Sequence, residues 1–214
     1  MSRLPRFSRS EQIAPMSLTQ RDRTILRCFR RYRFLRSSHF ASLLPGSHQQ
    51  LLRRLQLLYH HGYLERPRCQ IDYFTSGSRC IVYGLGRKGA SLLQQETSVF
   101  SHRVDFETYN KPGRLFLEHT LMISDFMVAL EKACRTQSGI SLIMAHELSL
   151  PEPGRKERPF RWTVGLGNGL SCGVVPDQVF ALEFNRASRR KSRAWFFLEA
   201  DRATMPVIHR NGLE

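Results

Sequence analysis

"SSHFASLLPGSHQQLLRRLQLLYHHGYLER", residues 37–66, decides how the first half of the chain reads. Ser47 stands where a helix N-cap belongs, since its hydroxyl can accept from the backbone N–H groups that open a helix. From there Leu51, Leu52, Leu55 and Leu58 recur at helical spacing and predict a face turned to a core. Gly62 sits where a left-handed residue ends a helix. Upstream, Ser37 or Ser38 is placed to cap a shorter helix, HFASLL, which Pro45 and Gly46 stop. Two short helices joined by so tight a turn predict a helix-turn-helix.

Reading outward, "TQRDRTILRCF" supplies a preceding helix. Thr19 is its cap, Asp22 is the reciprocal acid three residues on, and Ile25, Leu26 and Phe29 form its apolar face. Residues 1–16 read as a disordered basic leader. Downstream, "GYLER" and "CIVYGLG" read as paired strands with the basic segment "PRCQIDYFTSGSR" between them as a wing, and "RKGASLLQQE" as a closing helix. The expectation is a winged helix-turn-helix over residues 17–97, with its third helix offered to the major groove of DNA. Gln49, Gln50 and Arg53 near that helix start are the first candidates for base and phosphate contacts, with Arg54 and His48 next. The competing reading makes these residues only the solvated face of an amphipathic helix.

Charge favours the first reading. The 214 residues carry 33 Lys+Arg against 18 Asp+Glu, a net of +15. Residues 1–97 hold 17 basic and 5 acidic side chains, a net of +12, which leaves +3 for residues 98–214. Arginine dominates this excess, and its planar fork suits phosphate. A polyanion, most simply double-stranded DNA, is the partner this implies. No apolar run approaches the roughly 18 residues that span a bilayer, so no membrane partner is expected. The basic N-terminus lacks an apolar signal region, and five scattered cysteines without a CxxC pair fit a reducing cytoplasm. "GLGRKG", residues 84–89, matches GxGxxG, but it closes a wing strand rather than opening a parallel βαβ unit, so it reads as a turn.

Residues 98–114 read as a linker and residues 115–214 as an α/β (α+β) domain. "LFLEHTLMISDFMVALEKACR" is a helix of about five turns whose face is expected from Leu117, Leu121, Phe126, Val128 and Leu130. "ISLIMAHELSLP" reads as a strand and the Gly-containing stretch around "RWTVGLGNGLSC" as a hairpin. "GVVPDQVFALEF", the basic "NRASRRKSR" and "AWFFLEAD" follow as strand, connection and strand. Glu199 and Asp201 would share one strand face, about 7 Å apart at the usual rise, with Asp177 on the neighbouring strand. Carboxylates at adjoining strand ends suit Mg²⁺ or Mn²⁺, hard ions that take oxygen ligands and keep water for a phosphate. Acids at strand ends are also common without any metal, and a lone helical histidine such as His119 is more often a hydrogen-bonded structural residue than a ligand or base.

The blocks "LTQRDRTILRCFRRYRFLRSSHFASLL", "RRLQLLYHHGYLER", "LEHTLMISDFMVAL", "PDQVFAL" and "FFLEADRATMP" follow one another in an order that resembles the replication-relaxation family of plasmid and mobile-element proteins. That family is similar to relaxases of the restriction-endonuclease class. The resemblance implies a winged-helix half joined to a restriction-endonuclease-like half. It also implies Asp177 and Glu199 as metal ligands and a functional role for His119; in a nicking site Asp201 would be a further catalytic acid, as a ligand or an orienter of Arg202. Two departures follow from the same comparison. Asp201 stands where the nuclease class places a lysine, and the chain stops at "VIHRNGLE" where relatives continue, which predicts a truncated or degenerate member with one sheet face uncovered. The function implied is a DNA-binding protein of plasmid or mobile-element replication or transfer with a metal-dependent nicking domain, acting as a homodimer or with replication and mobilisation partners. The alternative is a non-catalytic winged-helix regulator or replication accessory factor.

Overall fold

Thr19 and Asp22 cap each other at the start of helix α1 (Gln20–Cys28). Asp22 Oδ2 accepts from the Thr19 N–H at 2.7 Å, and the Thr19 hydroxyl accepts from the Asp22 N–H at 3.3 Å. This capping box, read from the sequence, satisfies two of the donors that every helix start leaves open. The computed structural model describes residues 4–74, 80–96, 112–144, 147, 162–167, 169–185 and 191–201. They belong to two compact units, Met1–Lys132 and Ala133–Glu214, and are mixed α/β with small antiparallel sheets.

In the first unit α1 is followed by strand β1 (Phe34–Arg36), α2 (Ser37–Leu43), α3 (His48–His60), β2 (Leu64–Glu65), a 3₁₀ helix (Arg68–Phe74), β3 (Val82–Leu85) and α4 (Arg87–Glu96). The sheet order is β1-β3-β2, all antiparallel, with Leu35 opposite Tyr83 and Leu64 opposite Leu85. Strand β1 had no sequence signal of its own, because three residues cannot display a period. It also moves the cap of α2. Neither Ser37 nor Ser38 caps that helix; Arg36 does, with its N–H donating to His39 Nδ1 at 3.2 Å. Part of the segment read as a wing is a 3₁₀ helix, and residues 75–79 lie outside the described residues.

Helix α3 starts at its Ser47 cap and ends before Gly62, whose φ of +82° is the left-handed turn expected there. Its core face is Leu51, Leu55, Leu58 and Tyr59; Leu52, expected inward, is 37% exposed. A residue beside Leu51 is rotated about 100° away from it, and the surface is where that rotation leaves Leu52. Gly86 and Gly89 of the GxGxxG match have a packing role. A Cβ on Gly86 would meet Gly62 O at 2.5 Å, and one on Gly89 would meet Tyr63 O at 2.4 Å. Glycine here lets β3 and α4 press against the turn after α3.

The long helix α5 (Arg114–Thr136) was expected to lead the second domain, yet the first unit extends to Lys132. Leu117 and Leu121 pack in one buried cluster with Phe34 and Val82. Ser124 Oγ donates to Phe34 O at 2.8 Å, and the Tyr32 hydroxyl donates to Glu131 Oε2 at 2.5 Å. The inward face therefore runs Leu117, Leu121, Ser124, Met127, Val128 and Glu131, while Phe126 is 48% exposed. The expected linker lies largely outside the described residues. The leader, expected to be disordered, instead makes defined contacts: Arg9 Nε donates to Tyr59 O at 3.1 Å, and the Ser10 N–H to His60 Nδ1 at 3.2 Å.

The second unit contains a sheet of order β4-β7-β8, with β4 Ile140–Met144, β7 Gln178–Asn185 and β8 Lys191–Leu198, and a two-stranded ribbon of β5 (Trp162–Gly167) and β6 (Leu170–Val174). The ribbon is the hairpin expected from the glycines. Gly173 and Val174 close β6 rather than opening β7, and Lys191–Arg193 lie within β8 rather than in a connection. Phe180 and Phe196 stack across β7 and β8 at 5.1 Å between ring centroids. The remainder of the expected first strand beyond Met144, apart from Glu147, and the C-terminal segment lie outside the described residues.

Candidate functional site

The start of α3 is the best-presented polar surface among the predicted residues. The Ser47 hydroxyl accepts from the Gln50 N–H at 3.5 Å, and His48, Gln49, Gln50 and Arg53 are all exposed. Arg53 makes no ion pair among the described residues. Its neighbour Arg54 does the opposite. Arg54 Nε donates to Asp22 Oδ1 at 2.8 Å, Nη2 reaches the other Asp22 oxygen, and Nη2 also donates to Ser17 O at 3.1 Å. Burial pushes the Asp22 carboxyl up, but Arg54 and the Thr19 N–H and hydroxyl outweigh it and hold it below the usual carboxylate range. Arg54 thus ties α3 to α1, and its guanidinium is committed before any partner arrives.

Several other arginines are organised in the same way. Glu96 lies within 2.7 Å of Arg23 and 3.0 Å of Arg27, and these hydrogen bonds hold its carboxyl down. Asp125 on α5 takes Arg36 and, at 2.6 Å, His39 Nε2. Burial raises the Asp125 carboxyl, and hydrogen bonds from His39 and Arg36 more than reverse that. Because His39 Nδ1 accepts from the Arg36 N–H, the proton of a neutral ring lies on Nε2, facing Asp125. This cluster joins residues 86 and 89 positions apart, and no local pattern could have signalled it.

The predicted acids fall at one end of the β7–β8 pair. Gln178 pairs with Leu198, so Asp177 precedes β7 and Glu199 follows β8, each one residue beyond the last paired positions. Asp177 Oδ2 accepts from the Ala200 N–H at 2.8 Å, which fastens the two chain segments together. Strand β8 ends at Leu198, so Glu199 and Asp201 do not share a strand face; both are exposed beyond it. Among the described residues no group of three or more His, Cys, Asp or Glu gathers as a metal site. Mg²⁺ commonly takes one or two carboxylates and fills the rest of its shell with water and phosphate, and Asp177 and Glu199 are the two acids that the register brings to this end of the strand pair. His119 belongs to α5 in the first unit and is half-buried there.

These features define a two-unit α+β protein with an arginine-rich helical unit and a small antiparallel unit with acids at one end of its β7–β8 pair. The chain belongs to the replication-relaxation family, whose model matches residues 26–211, and membership points to a role in plasmid or mobile-element replication or transfer. No curated protein and no solved structure matches the chain. Among the described residues no helix is long and apolar enough to cross a membrane.

Proposed function

We propose that the chain is a cytoplasmic DNA-binding protein of plasmid or mobile-element replication or transfer. The first unit acts as a winged helix-turn-helix and inserts α3 into the major groove of double-stranded DNA. The observation that carries this reading is the division of labour on α3: Arg54 is spent on Asp22, while Arg53, Gln49, Gln50 and His48 stand exposed around the capped helix start. The order of helices and strands around α3, and the charge of +12 on residues 1–97, support it. Arg53 would take a phosphate, and the two glutamines would read base edges. Arg53→Ala should weaken binding to all sequences alike and lower the log–log salt slope by about 1. Gln49→Ala should instead relax sequence preference, by about 1–3 kcal/mol at one base pair. Affinity and slope unchanged in both variants would refute the α3 reading.

In the second unit Asp177 and Glu199 would hold Mg²⁺ or Mn²⁺, with Asp201 as a further ligand or an orienter of Arg202. His119, which belongs to the first unit, would be a base or phosphate contact in its own right. When bound, the ion would lower the pKa of its water and neutralise charge on a phosphodiester. Glu199→Ala should abolish Mn²⁺-dependent nicking of supercoiled plasmid without changing DNA affinity. A wild-type protein that nicks no plasmid, its own origin included, would sink the nuclease reading. The second reading, a non-catalytic regulator or accessory factor, draws on Asp177, whose bond to the Ala200 N–H already gives it a structural task. DNA binding indifferent to EDTA, with no cleavage products, would favour it.

A further inference from the structure

Arg66 is a buried cation with no carboxylate partner among the described residues. It is only 6% exposed. Its Nη1 donates to Arg6 O at 2.5 Å and its Nη2 to the Tyr83 hydroxyl at 3.1 Å, while its Nε is buried with no acceptor among the described residues. The guanidinium carbon lies 4.1 Å from the Tyr59 ring centroid and 5.1 Å from that of Tyr83. Other arginines of the unit have carboxylates: Arg54 has Asp22, Arg36 has Asp125 and Arg31 has Glu131. The adjacent acid, Glu65, is bridged to Arg9. Aromatic faces offset part of the desolvation of a buried charge but do not neutralise it.

Beside this cation lies a cavity of about 630 Å³, lined by Arg6 of the leader, Leu52 and Gln56 of α3, and Arg66, Ile81 and Tyr83. Two arginines therefore line one cavity, and none of its lining residues is an acid. We propose that this cavity is a phosphate-binding site, with the Arg66 fork as its principal donor and Arg6 closing it from the leader. A planar guanidinium presents parallel N–H groups that match two phosphate oxygens, and phosphate would supply the charge that Arg66 lacks. The phosphate belongs either to a DNA backbone alongside α3, a form that rests on the proposed function, or to free phosphate or a mononucleotide.

The full-length chain tests this in two arms. In the first, thermal unfolding is followed with inorganic phosphate, then AMP, against chloride at equal ionic strength. The wild-type melting temperature should rise and the Arg66→Gln value should not. In the second, DNA affinity is measured against salt, where Arg66→Gln should bind several-fold more weakly with a slope lower by about 0.9. Gln56→Glu guards against a variant that simply misfolds. Its carboxylate enters the same cavity, so it should stabilise the ligand-free protein while removing the response to phosphate. Loss of both responses in the variants assigns the site to DNA backbone and free phosphate alike. Loss of the phosphate response alone assigns it to a free anion, and loss of the slope alone to DNA. No wild-type response to phosphate or AMP, together with an unchanged slope in Arg66→Gln, overturns the proposal while leaving DNA binding by α3 standing. A wild-type chain that binds no DNA but is stabilised by phosphate through Arg66 does the reverse.

Discussion

Gly89 shows how much one missing methyl can decide. Its Cβ would sit 2.4 Å from a backbone oxygen, which cannot swing aside as a side chain could. Gly89→Ala should therefore cost on the order of 1–3 kcal/mol in urea denaturation, with no change in the residues offered to DNA; a neutral effect would mean that the turn after α3 yields. Titratable residues give a second expectation. His60 is held below its ordinary pKa by burial first, then by Arg66, His61 and Arg9. Its unfolded form binds the proton more readily, so stability should be full above about pH 6.5 and begin to fall below it. Asp22 and Asp125 are depressed carboxylates. Their contribution is present above about pH 4 and disappears as pH drops further, through their folded values. Melting temperatures between pH 8 and pH 3 should thus fall in two stages, and His60→Asn should remove the upper one.

Elements were legible in proportion to how far their signals were local. The Thr19–Asp22 box, the Ser47 cap and the left-handed Gly62 are short-range chemistry, and each fixed an end of a helix from sequence. Strand β1 was not legible, since its three residues exist as a strand only because β3 lies beside them. Helix α5 was recognised as a helix, but its allegiance was hidden, because Ser124, Asp125 and Glu131 find partners in residues 32–39, 86 to 99 positions away. A chain ending at residue 97 loses these bonds and uncovers Phe34 and Val82. It should show a lower melting temperature and faster amide exchange in β1 and β3 than one ending at residue 136; equal protection would mean that α5 adds nothing to the unit.

Across the whole molecule, the charge asymmetry was visible in composition, but its meaning needed coordinates. Glu96, Asp125, Asp22 and Glu131 each hold one or more arginines, so several arginines are internal scaffolding even though the net positive charge of the unit remains. What the sequence could not separate is Arg53 from Arg54, adjacent letters whose side chains leave the helix about 100° apart. The same limit hid Arg66, which reads as the end of a strand until Tyr59, Tyr83 and the leader close around it. The neighbouring positions of Asp177 and Glu199 were legible as a register, since they lie one residue outside the Gln178–Leu198 pair, whereas the strand face expected for Glu199 and Asp201 was not, because β8 ends before them. The docking of α5 also bears on how the protein is made. A ribosome releases β1 and β3 well before residues 117–131, and at 5–20 residues per second the interval from residue 97 to residue 131 is about 2–7 s. For that time Phe34 and Val82 have no cover of their own, so the nascent first unit is exposed to misassembly in the very window before its last helix arrives.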